Sequence, residues 1–513
     1  MEPIFTDKQL NNMSREDLIS LMKIVQEQTK KKDTEIQLLK DKQKELEFLN
    51  AMLSDRLTLA QRKQFGASSE KYAEGYEQMN LFNEAEANAD AETEELFEEI
   101  RPSSYKCKKR KGKKEEDLSN FETVATRTYK LEGEARYCPA CGSMKRPEKE
   151  PSLIRGSIAT PSLVAGIMNA KYVNGMPLAR QEREFARYDL DLSTKTMANW
   201  IINCADRYLK PLYQLMKEEL LESRYIHCDE SRIQVLGEPD QKGTTQNWMW
   251  VYLTDEFSGS PQMVLFDYER TRAGYHPVNF LGDRFHGYLT CDGYQAYHSL
   301  GEGIIVSGCL THARRRFDAA LTALKKDFTK EQLKETIAYQ AMSRIGILYK
   351  IEEMIHNKTP EEKYEERQKQ SRPVMDALFE WLHTMEDSVD RSSLIGDAIL
   401  YTLNQEAYLK VFLSDGEVPI DNLASERALR TFTIGRKNWM TINTVRGADA
   451  SAIIYSVTET ARANGLNVYY YIKHLLTELT QVVRADGSID EKELEPLMPW
   501  SKDLPAECYK RRK

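Results

Sequence analysis

The stretch YIHCDESRIQV, residues 225–235, has the composition of a buried β-strand except for two adjacent acids, Asp229 and Glu230. Apolar and β-branched residues flank the acids on both sides, as is typical of a strand within a sheet. Carboxylates in such a strand carry a large desolvation cost unless a counter-charge lies beside them. The stretch therefore predicts a strand that presents acidic groups to a site.

Strand-like segments continue downstream and end at a helix that begins near HARRRFDAAL. They are NWMWVYLTD (247–255), PQMVLFDYE (261–269), GYLTCDGY (287–294) and GIIVSGCL (303–310). Three neighbouring strands, a crossing segment, a fourth strand and a fifth that leads into a helix are the order of a ribonuclease H-like α/β domain. Asp292 ends the fourth strand. If the first and fourth strands are adjacent, Asp229 and Asp292 converge.

A third carboxylate is available in IDNLASERALRTFTIGRKNW, residues 420–439. Asp421 or Asn422 is predicted to cap a helix, Glu426 falls in its first turns, and Arg430 follows one turn later on the same face. Three carboxylates can hold two divalent cations about 4 Å apart, which suits phosphodiester chemistry. The alternative is a surface ion pair between Glu426 and Arg430.

The composition of the 513-residue chain predicts several domains and no membrane span, since its apolar runs fall far short of about 20 residues. The N-terminus lacks the pattern of an export signal, which predicts a cytoplasmic protein. Of the eight cysteines, only Cys138 and Cys141 form a close CxxC pair, as expected in a reducing compartment. That pair suits zinc, but one pair supplies only two of four ligands, and a tight turn with free thiols is the alternative.

Charge is clustered although the net charge is −8. Seven of the nine residues in 106–114 are Lys or Arg, and residues 84–99 contain eight acids and no basic residue. Such runs are often solvated tails, and the whole stretch 67–127 is predicted to be a charged linker.

Two helical regions precede the strands. From Met13 to Gln64 there is neither Pro nor Gly, and a broken heptad pattern of apolar residues predicts a dimerising coiled coil, with a surface helix as the alternative. Between 177 and 208, a helix, a break at Asp189 to Leu192 and a second helix capped by Ser193 form the layout of a helix-turn-helix, a weak signal by itself.

The motifs HCDES, CDGYQAY, CLTHARRRF, DNLASERALR and RKNW resemble the catalytic signatures of DDE transposases of the insertion sequence 66 (IS66) family. QFGASSEKY, KYVNGMPLARQE, TARANGLNVYYYIKHLL and LEPLMPW extend the resemblance in order over most of the chain. The resemblance implies a catalytic triad of Asp229, Asp292 and Glu426 that holds two Mg²⁺ or Mn²⁺ ions. It also implies an all-helical insertion between the second and third acids, and a bacterial, nucleoid-associated location.

Further roles follow from the same motifs. His312 is expected near the active site, with Glu230 a structural or solvent-facing neighbour. The predicted DNA contacts are Arg314, Arg315, Arg316, Arg430, Arg436, Lys437 and Trp439. The family normally carries a second cysteine pair that completes a zinc ribbon. Because none follows Cys138 and Cys141, zinc binding is doubtful.

The sequence thus predicts a multidomain α plus α/β protein. The domains are a coiled coil (1–66), the linker (67–127), a CxxC knuckle (128–150), a helix-turn-helix region (151–223), a ribonuclease H-like catalytic domain (224–318 and 413–475) interrupted by a helical insertion (319–412), and a tail (476–513). The predicted function is metal-dependent cleavage and strand transfer at the terminal repeats of the protein's own element. Partners would be double-stranded DNA, a second copy of the chain and small accessory proteins. A DNA-binding regulator without catalysis and another ribonuclease H-like nuclease are the alternatives.

Overall fold

The computed structural model describes Arg15 and residues 129–510, except for 142, 145–150, 243–244, 256–258, 326–327 and 485. The predicted coiled coil, apart from Arg15, and the predicted charged linker lie outside the described residues. Among the helices that are described, none is long and apolar enough to cross a bilayer.

A mixed five-stranded sheet lies at the centre of the described chain. Its strands are β1 (Tyr225–Ile233), β2 (Asn247–Leu253), β3 (Val264–Glu269), β4 (Gly287–Cys291) and β5 (Ile304–Gly308). The spatial order is β3-β2-β1-β4-β5, with antiparallel pairs from β1 to β3 and parallel pairs from β1 through β4 to β5. The predicted adjacency of the first and fourth strands is therefore confirmed.

Helices precede the sheet and cross between its strands. They are α1 (Pro161–Met168), α2 (Leu178–Ala186), α3 (Thr194–Cys204), α4 (Lys210–Leu221) and, between β3 and β4, α5 (Tyr275–Leu281). Ser193 caps α3 as predicted, because its side chain accepts a hydrogen bond from the backbone N–H of Thr196. These helices pack with the sheet in one large apolar core.

After β5 the chain is helical for about a hundred residues, in agreement with the predicted insertion. The helices are α6 (Leu310–Leu324), α7 (Lys330–Glu335), α8 (Ile337–Ile355), α9 (Pro360–Glu366), α10 (Arg372–Glu386), α11 (Leu394–Asn404) and α12 (Glu406–Leu409). They enclose a second apolar core that reaches the sheet at Tyr225. Trp381 of α10 packs against this core.

The chain then returns to the sheet through α13 (Leu423–Trp439), α14 (Val445–Ala463), α15 (Val468–Val482) and the short α16 (Glu491–Leu494). Helix α14 covers the outer edge of β3. The backbone N–H groups of Val264 and Phe266 donate to the hydroxyls of Thr460 and Ser456, at 3.0 and 2.7 Å. These bonds satisfy donors that an edge strand would otherwise expose.

Candidate active site

Strand pairing brings Asp229 and Asp292 to the same end of the sheet. In the parallel pair of β1 and β4, Tyr225 is opposite Tyr288 and His227 is opposite Thr290. The same offset of 63 positions places Asp229 opposite Asp292, two residues beyond the last pair. The Asp292 carboxylate accepts a 2.9 Å hydrogen bond from the backbone N–H of Tyr294, which fixes it in the turn that leaves β4.

Helix α13, which carries Glu426, is tied to β1 before its first residue. The side chain of Asn422 is fully buried; its Oδ1 lies 2.8 Å from Nδ1 of His227, and its Nδ2 donates to the backbone carbonyl of Cys228 at 2.8 Å. Asp421, in turn, accepts from the N–H of Leu423 at 3.1 Å, so it rather than Asn422 supplies the side-chain cap.

The segment directly after α13 is tied by its backbone to the segment directly after β1. The N–H of Ile442 donates to the carbonyl of Gln234 at 2.9 Å, and the N–H of Leu236 donates to the carbonyl of Ile442 at 2.8 Å. The chain on both sides of α13 is thus fixed to β1 or to the residues that follow it, and Glu426 in the first turn of α13 is held beside the two aspartates.

Asp229 is in an environment that opposes its charge. Burial is the largest cause that raises its pKa to about 8, and the charges of Glu230, Asp292 and Glu426 raise it further. A hydrogen bond from the backbone N–H of Glu230 to its Oδ1, at 2.8 Å, offsets part of this effect. The three predicted acids therefore interact electrostatically at one place.

Glu426 is paired with Arg315 of α6 and not with Arg430. One carboxylate oxygen forms an ion pair with the Arg315 guanidinium. The other oxygen, Oε1, is buried without a hydrogen-bond partner and lies 3.9 Å from Nε2 of His312. His312, predicted near the active site, is thus beside the third acid, and burial lowers the pKa of its imidazole.

Glu230 is a buried acid paired with the cation of Arg272, which no pattern in the sequence indicates. Its Oε1 accepts a 2.6 Å hydrogen bond from Nε of Arg272, and its Oε2 accepts from the hydroxyl of Tyr297. The same guanidinium lies 3.8 Å from Oδ2 of Asp292 and 3.8 Å from the ring centre of Tyr294. Of the two alternatives for Glu230, the structure favours the structural acid, because the side chain faces Arg272 rather than solvent.

The donor set suits hard divalent cations, since it consists of carboxylate oxygens and includes the unpartnered Oε1 of Glu426. Among the described residues, however, no group of three or more His, Cys, Asp and Glu side chains forms a ready metal site. Arg315 and Arg272 provide positive charge in this arrangement. A metal would require Glu426 to turn away from Arg315.

Comparison with protein families agrees with this architecture. A family model described as "Transposase IS66 family" matches residues 156–450, more than half of the chain. The chain belongs to the IS66 transposase family. A second model, "IS66 C-terminal element", matches residues 456–500, and a third, "Transposase C of IS166 homeodomain", matches residues 52–120. The last match covers most of the stretch that the composition predicted to be a linker.

Curated relatives carry no assigned activity. The uncharacterized proteins y4jD and y4hP of Sinorhizobium fredii are 29% and 30% identical over 377 and 359 residues. The alignments cover 71% and 67% of this chain, and 70% and 62% of the relatives. A third, y4qI, is 30% identical and is covered over 64% of its length.

Several of the residues predicted to contact DNA in this IS66 family member instead interact with other groups of the same chain. Arg314 lies over the ring of Tyr349, and Arg316 pairs with Asp397 over the ring of Tyr401. On α13, Arg436 donates to the Ser231 hydroxyl at 3.2 Å and to the Arg232 carbonyl. Trp439 is only 7% exposed and packs in the main core, which is the wrong place for a base-stacking wedge. Arg430 and Lys437 remain exposed.

The CxxC pair forms a small turn in this family member. The backbone N–H of Cys138 donates to the carbonyl of Ser143 at 2.7 Å, and Tyr137 bridges Met144. Cys141 is exposed, and hydrogen bonds from Ser143 lower the pKa of its thiol. The described residues thus show two neighbouring thiols in a turn, and zinc binding stays an untested prediction.

The predicted helix-turn-helix is present as the helix pair α2 and α3, but the second helix, α3, is largely buried in the protein. Eight of the eleven residues of α3 are buried, and the other three, Lys195, Thr196 and Asn199, are only partly exposed. A recognition helix needs an exposed face to enter a major groove. The structure therefore does not support α3 as a groove-reading element.

Proposed function

We propose that this chain is a DNA transposase that cleaves DNA strands at the ends of its own element and joins them to target DNA. The observation that carries the proposal is the convergence of Asp229, Asp292 and Glu426, which come from two adjacent strands and a helix tied to β1. Membership of the IS66 transposase family supports the same activity. The strand order supports the ribonuclease H-like class of fold that such chemistry uses.

The three acids would hold two Mg²⁺ or Mn²⁺ ions. When bound, these cations activate the attacking oxygen and stabilise the leaving oxygen of a phosphodiester. The carboxylates of Asp229 on β1 and Asp292 at the end of β4 would supply ligands from the sheet, and Glu426 would supply the third carboxylate from α13. Burial and the charges of the neighbouring acids raise the pKa of Asp229. A bound cation would offset the repulsion among those charges, which favours metal binding.

Arg315 and Arg272 would have different roles once DNA is bound. Arg315 is 52% exposed, so it can leave Glu426 for a phosphate oxygen at small cost. Arg272 is held by Glu230, Tyr294 and Asp292, so it would stay in place and orient Asp292. One arginine thus exchanges partners while the other preserves the geometry of the turn.

Duplex DNA is the partner that the remaining features favour. The match at 52–120 is to a model named for a homeodomain, a DNA-binding module, and it includes the basic run 106–114. Dimerisation through the predicted coiled coil would bring two element ends together. Small accessory proteins of the same element are further proposed partners.

The test uses purified protein with Mg²⁺ or Mn²⁺ and labelled duplex that carries the element's terminal repeats. We expect metal-dependent cleavage that yields a 3′-hydroxyl and then a joined product. Asp229→Asn, Asp292→Asn and Glu426→Gln should each abolish both products and keep DNA binding. Asp267→Asn, which changes a partly buried carboxyl on β3, is the matched control and should stay active. Cleavage by a triad variant at the wild-type rate would contradict the assignment.

A regulator that binds DNA without cutting it is the second candidate, because Arg315 occupies Glu426 and no ready metal group exists among the described residues. The same assay separates the candidates. Binding of terminal repeats without cleavage, even with accessory proteins added, would favour the regulator. Cleavage without joined product would favour a ribonuclease H-like nuclease.

A further inference from the structure

Helix α13 has one exposed face, and that face is basic and apolar. The exposed residues of α13 are Arg427, Arg430, Ile434 and Lys437, at spacings of three, four and three. At about 100° per residue these positions fall within one narrow stripe along the helix. The other residues of α13 are buried or partly buried, so this stripe, here named the α13 stripe, is the helix's solvent side.

The three cations of the α13 stripe have no ion-pair partner among the described residues, and the stripe carries no acid. Most exposed arginines described above are paired or stacked, as Arg315 and Arg316 are. Three unpaired cations along ten residues, a rise of about 15 Å, match a phosphate backbone, whose charges are spaced about 3.4 Å apart along the axis of each strand.

The apolar members of this surface are unusual in exposure and in backbone conformation. Ile434 is 59% exposed, and Met440, directly after the helix, is 65% exposed. Met440 has a φ of +54°, in the left-handed region where a helix end normally places glycine. A non-glycine residue there is strained, and such strain often accompanies function.

The α13 stripe begins at the proposed catalytic centre. Glu426 directly precedes Arg427, and Arg430 lies one turn after Glu426 on the same side of the helix. The chain on both sides of α13 is fixed to β1 or to the residues that follow it, so DNA lying along the stripe would have a defined position relative to Asp229. A strand held by the stripe would be led to the three acids.

We infer that the α13 stripe and Met440 form the surface that seats duplex DNA beside the catalytic centre. Arg427, Arg430 and Lys437 contact backbone phosphates, and Ile434 and Met440 contact sugars and base edges in a groove. The inference rests on the proposed function and specifies which part of the chain positions the substrate. In this arrangement Met440, rather than the buried Trp439, is the apolar residue that contacts DNA.

The first experiment measures binding of a labelled 40-bp duplex of arbitrary sequence by fluorescence anisotropy over a range of salt concentrations. In the triple variant Arg427→Gln, Arg430→Gln and Lys437→Gln, we expect the slope of log affinity against log salt to fall by about 2 to 3. The control removes the same charge from exposed lysines elsewhere: Lys334→Gln, Lys492→Gln and Lys502→Gln. We expect that control to keep the wild-type slope.

The second experiment tests the apolar contacts with Ile434→Ala and Met440→Gly. We expect each to weaken binding at least several-fold at every salt concentration without a change of slope, because lost apolar contact is insensitive to salt. Met440→Gly should also leave the melting temperature unchanged or higher, since glycine tolerates this φ. Ile347→Ala and Met354→Ala, at 44% and 66% exposure on α8, are the matched controls and should bind normally.

The outcomes separate the inference from the proposed function. If the wild type binds and the triple variant keeps its slope, the α13 stripe is not the DNA surface, while the transposase proposal stands. If the wild type binds no duplex even at low salt, both fail. Normal binding by both apolar variants would overturn the groove contacts of Ile434 and Met440.

Discussion

The charge of Asp229 makes a testable link between the proposed site and the stability of the fold. Burial and three neighbouring acids raise the pKa of this carboxyl to about 8. We predict that Asp229→Asn, which cannot ionise, makes the folded chain more stable at alkaline pH while it abolishes cleavage. Asparagine keeps the oxygen that accepts from the N–H of Glu230, so the local backbone bond survives.

The sign and size of the effect follow from the shift in pKa. The folded chain binds the proton more tightly than the unfolded chain, so stability falls as pH rises from the ordinary value of 3.8 to about 8. At about 1.4 kcal/mol per pKa unit, the full cost is about 5 to 6 kcal/mol above pH 8. The part lost between pH 6 and pH 8.5 is about 2 to 3 kcal/mol.

The assay is denaturant unfolding of wild type and Asp229→Asn at pH 6 and pH 8.5, with and without Mg²⁺. The stability advantage of the variant should grow by about 2 to 3 kcal/mol from the lower pH to the higher. Mg²⁺ should stabilise the wild type at pH 8.5 and leave the variant unchanged, because the cation removes the repulsion among the acids.

Asp267→Asn is the matched control, because Asp267 is a carboxyl whose pKa is raised by burial but which lies outside the proposed site. Burial raises the pKa of Asp267 to about 6, with the nearby Lys217 lowering it. The stability advantage of Asp267→Asn should change by less than about 1 kcal/mol between the same two pH values, because Asp267 is already about half ionised at pH 6. A wild type and an Asp229→Asn variant with the same pH response would refute the electrostatic description of the site.

Three further predictions follow from individual contacts. Arg315→Gln frees the third carboxylate, so calorimetry without DNA should show tighter Mn²⁺ binding, and unchanged Mn²⁺ affinity would contradict the described pairing. Asn422→Ala should lower the free energy of unfolding by about 1 to 3 kcal/mol, measured in urea, and should reduce cleavage, because buried groups on β1 lose their partner. Gly435→Ala should destabilise the fold by about 1 to 3 kcal/mol, because the added Cβ would lie 2.6 Å from the Trp439 ring. Gly346→Ala, whose Cβ would meet nothing within 4 Å, should stabilise the fold by up to about 1 kcal/mol. A melting temperature that is higher for Gly435→Ala than for Gly346→Ala would contradict this reasoning.

The positions of the first two acids could be predicted from the sequence because each belongs to a strand with a strong pattern. Once the order of strands is known, the adjacency of β1 and β4 brings Asp229 and Asp292 together. The position of Glu426 could not be predicted in this way. About a hundred helical residues separate β5 from α13, and no local sequence pattern indicates where the chain comes back to the sheet. The resemblance to a family identified it, and the ties from Asn422 to His227 explain it physically.

Ion pairs and burial could not be predicted in the same way. Arg272 follows β3 in a loop, and nothing in its local sequence indicates that it meets Glu230 and Asp292. Trp439 is predicted to contact DNA because it lies beside Lys437 and Asn438, but α13 turns its side chain into the core while Lys437 faces solvent. A run of basic residues on a helix alternates between the core and the solvent with the helical period, so composition alone does not show which side chains reach DNA.

The two arginines account for how a site with four neighbouring acids stays folded before substrate binds. Glu230 and Asp292 share Arg272, which is held by stacking on Tyr294, whereas Glu426 has the half-exposed Arg315. In the proposed complex, DNA phosphate would compete with Glu426 for Arg315, and a divalent cation would compete with Arg315 for Glu426. Because each ligand releases the group that the other needs, binding of either should strengthen binding of the other, as reciprocity of coupled binding requires. The buried Oε1 of Glu426, which has no hydrogen-bond partner, is the atom at which this exchange would begin.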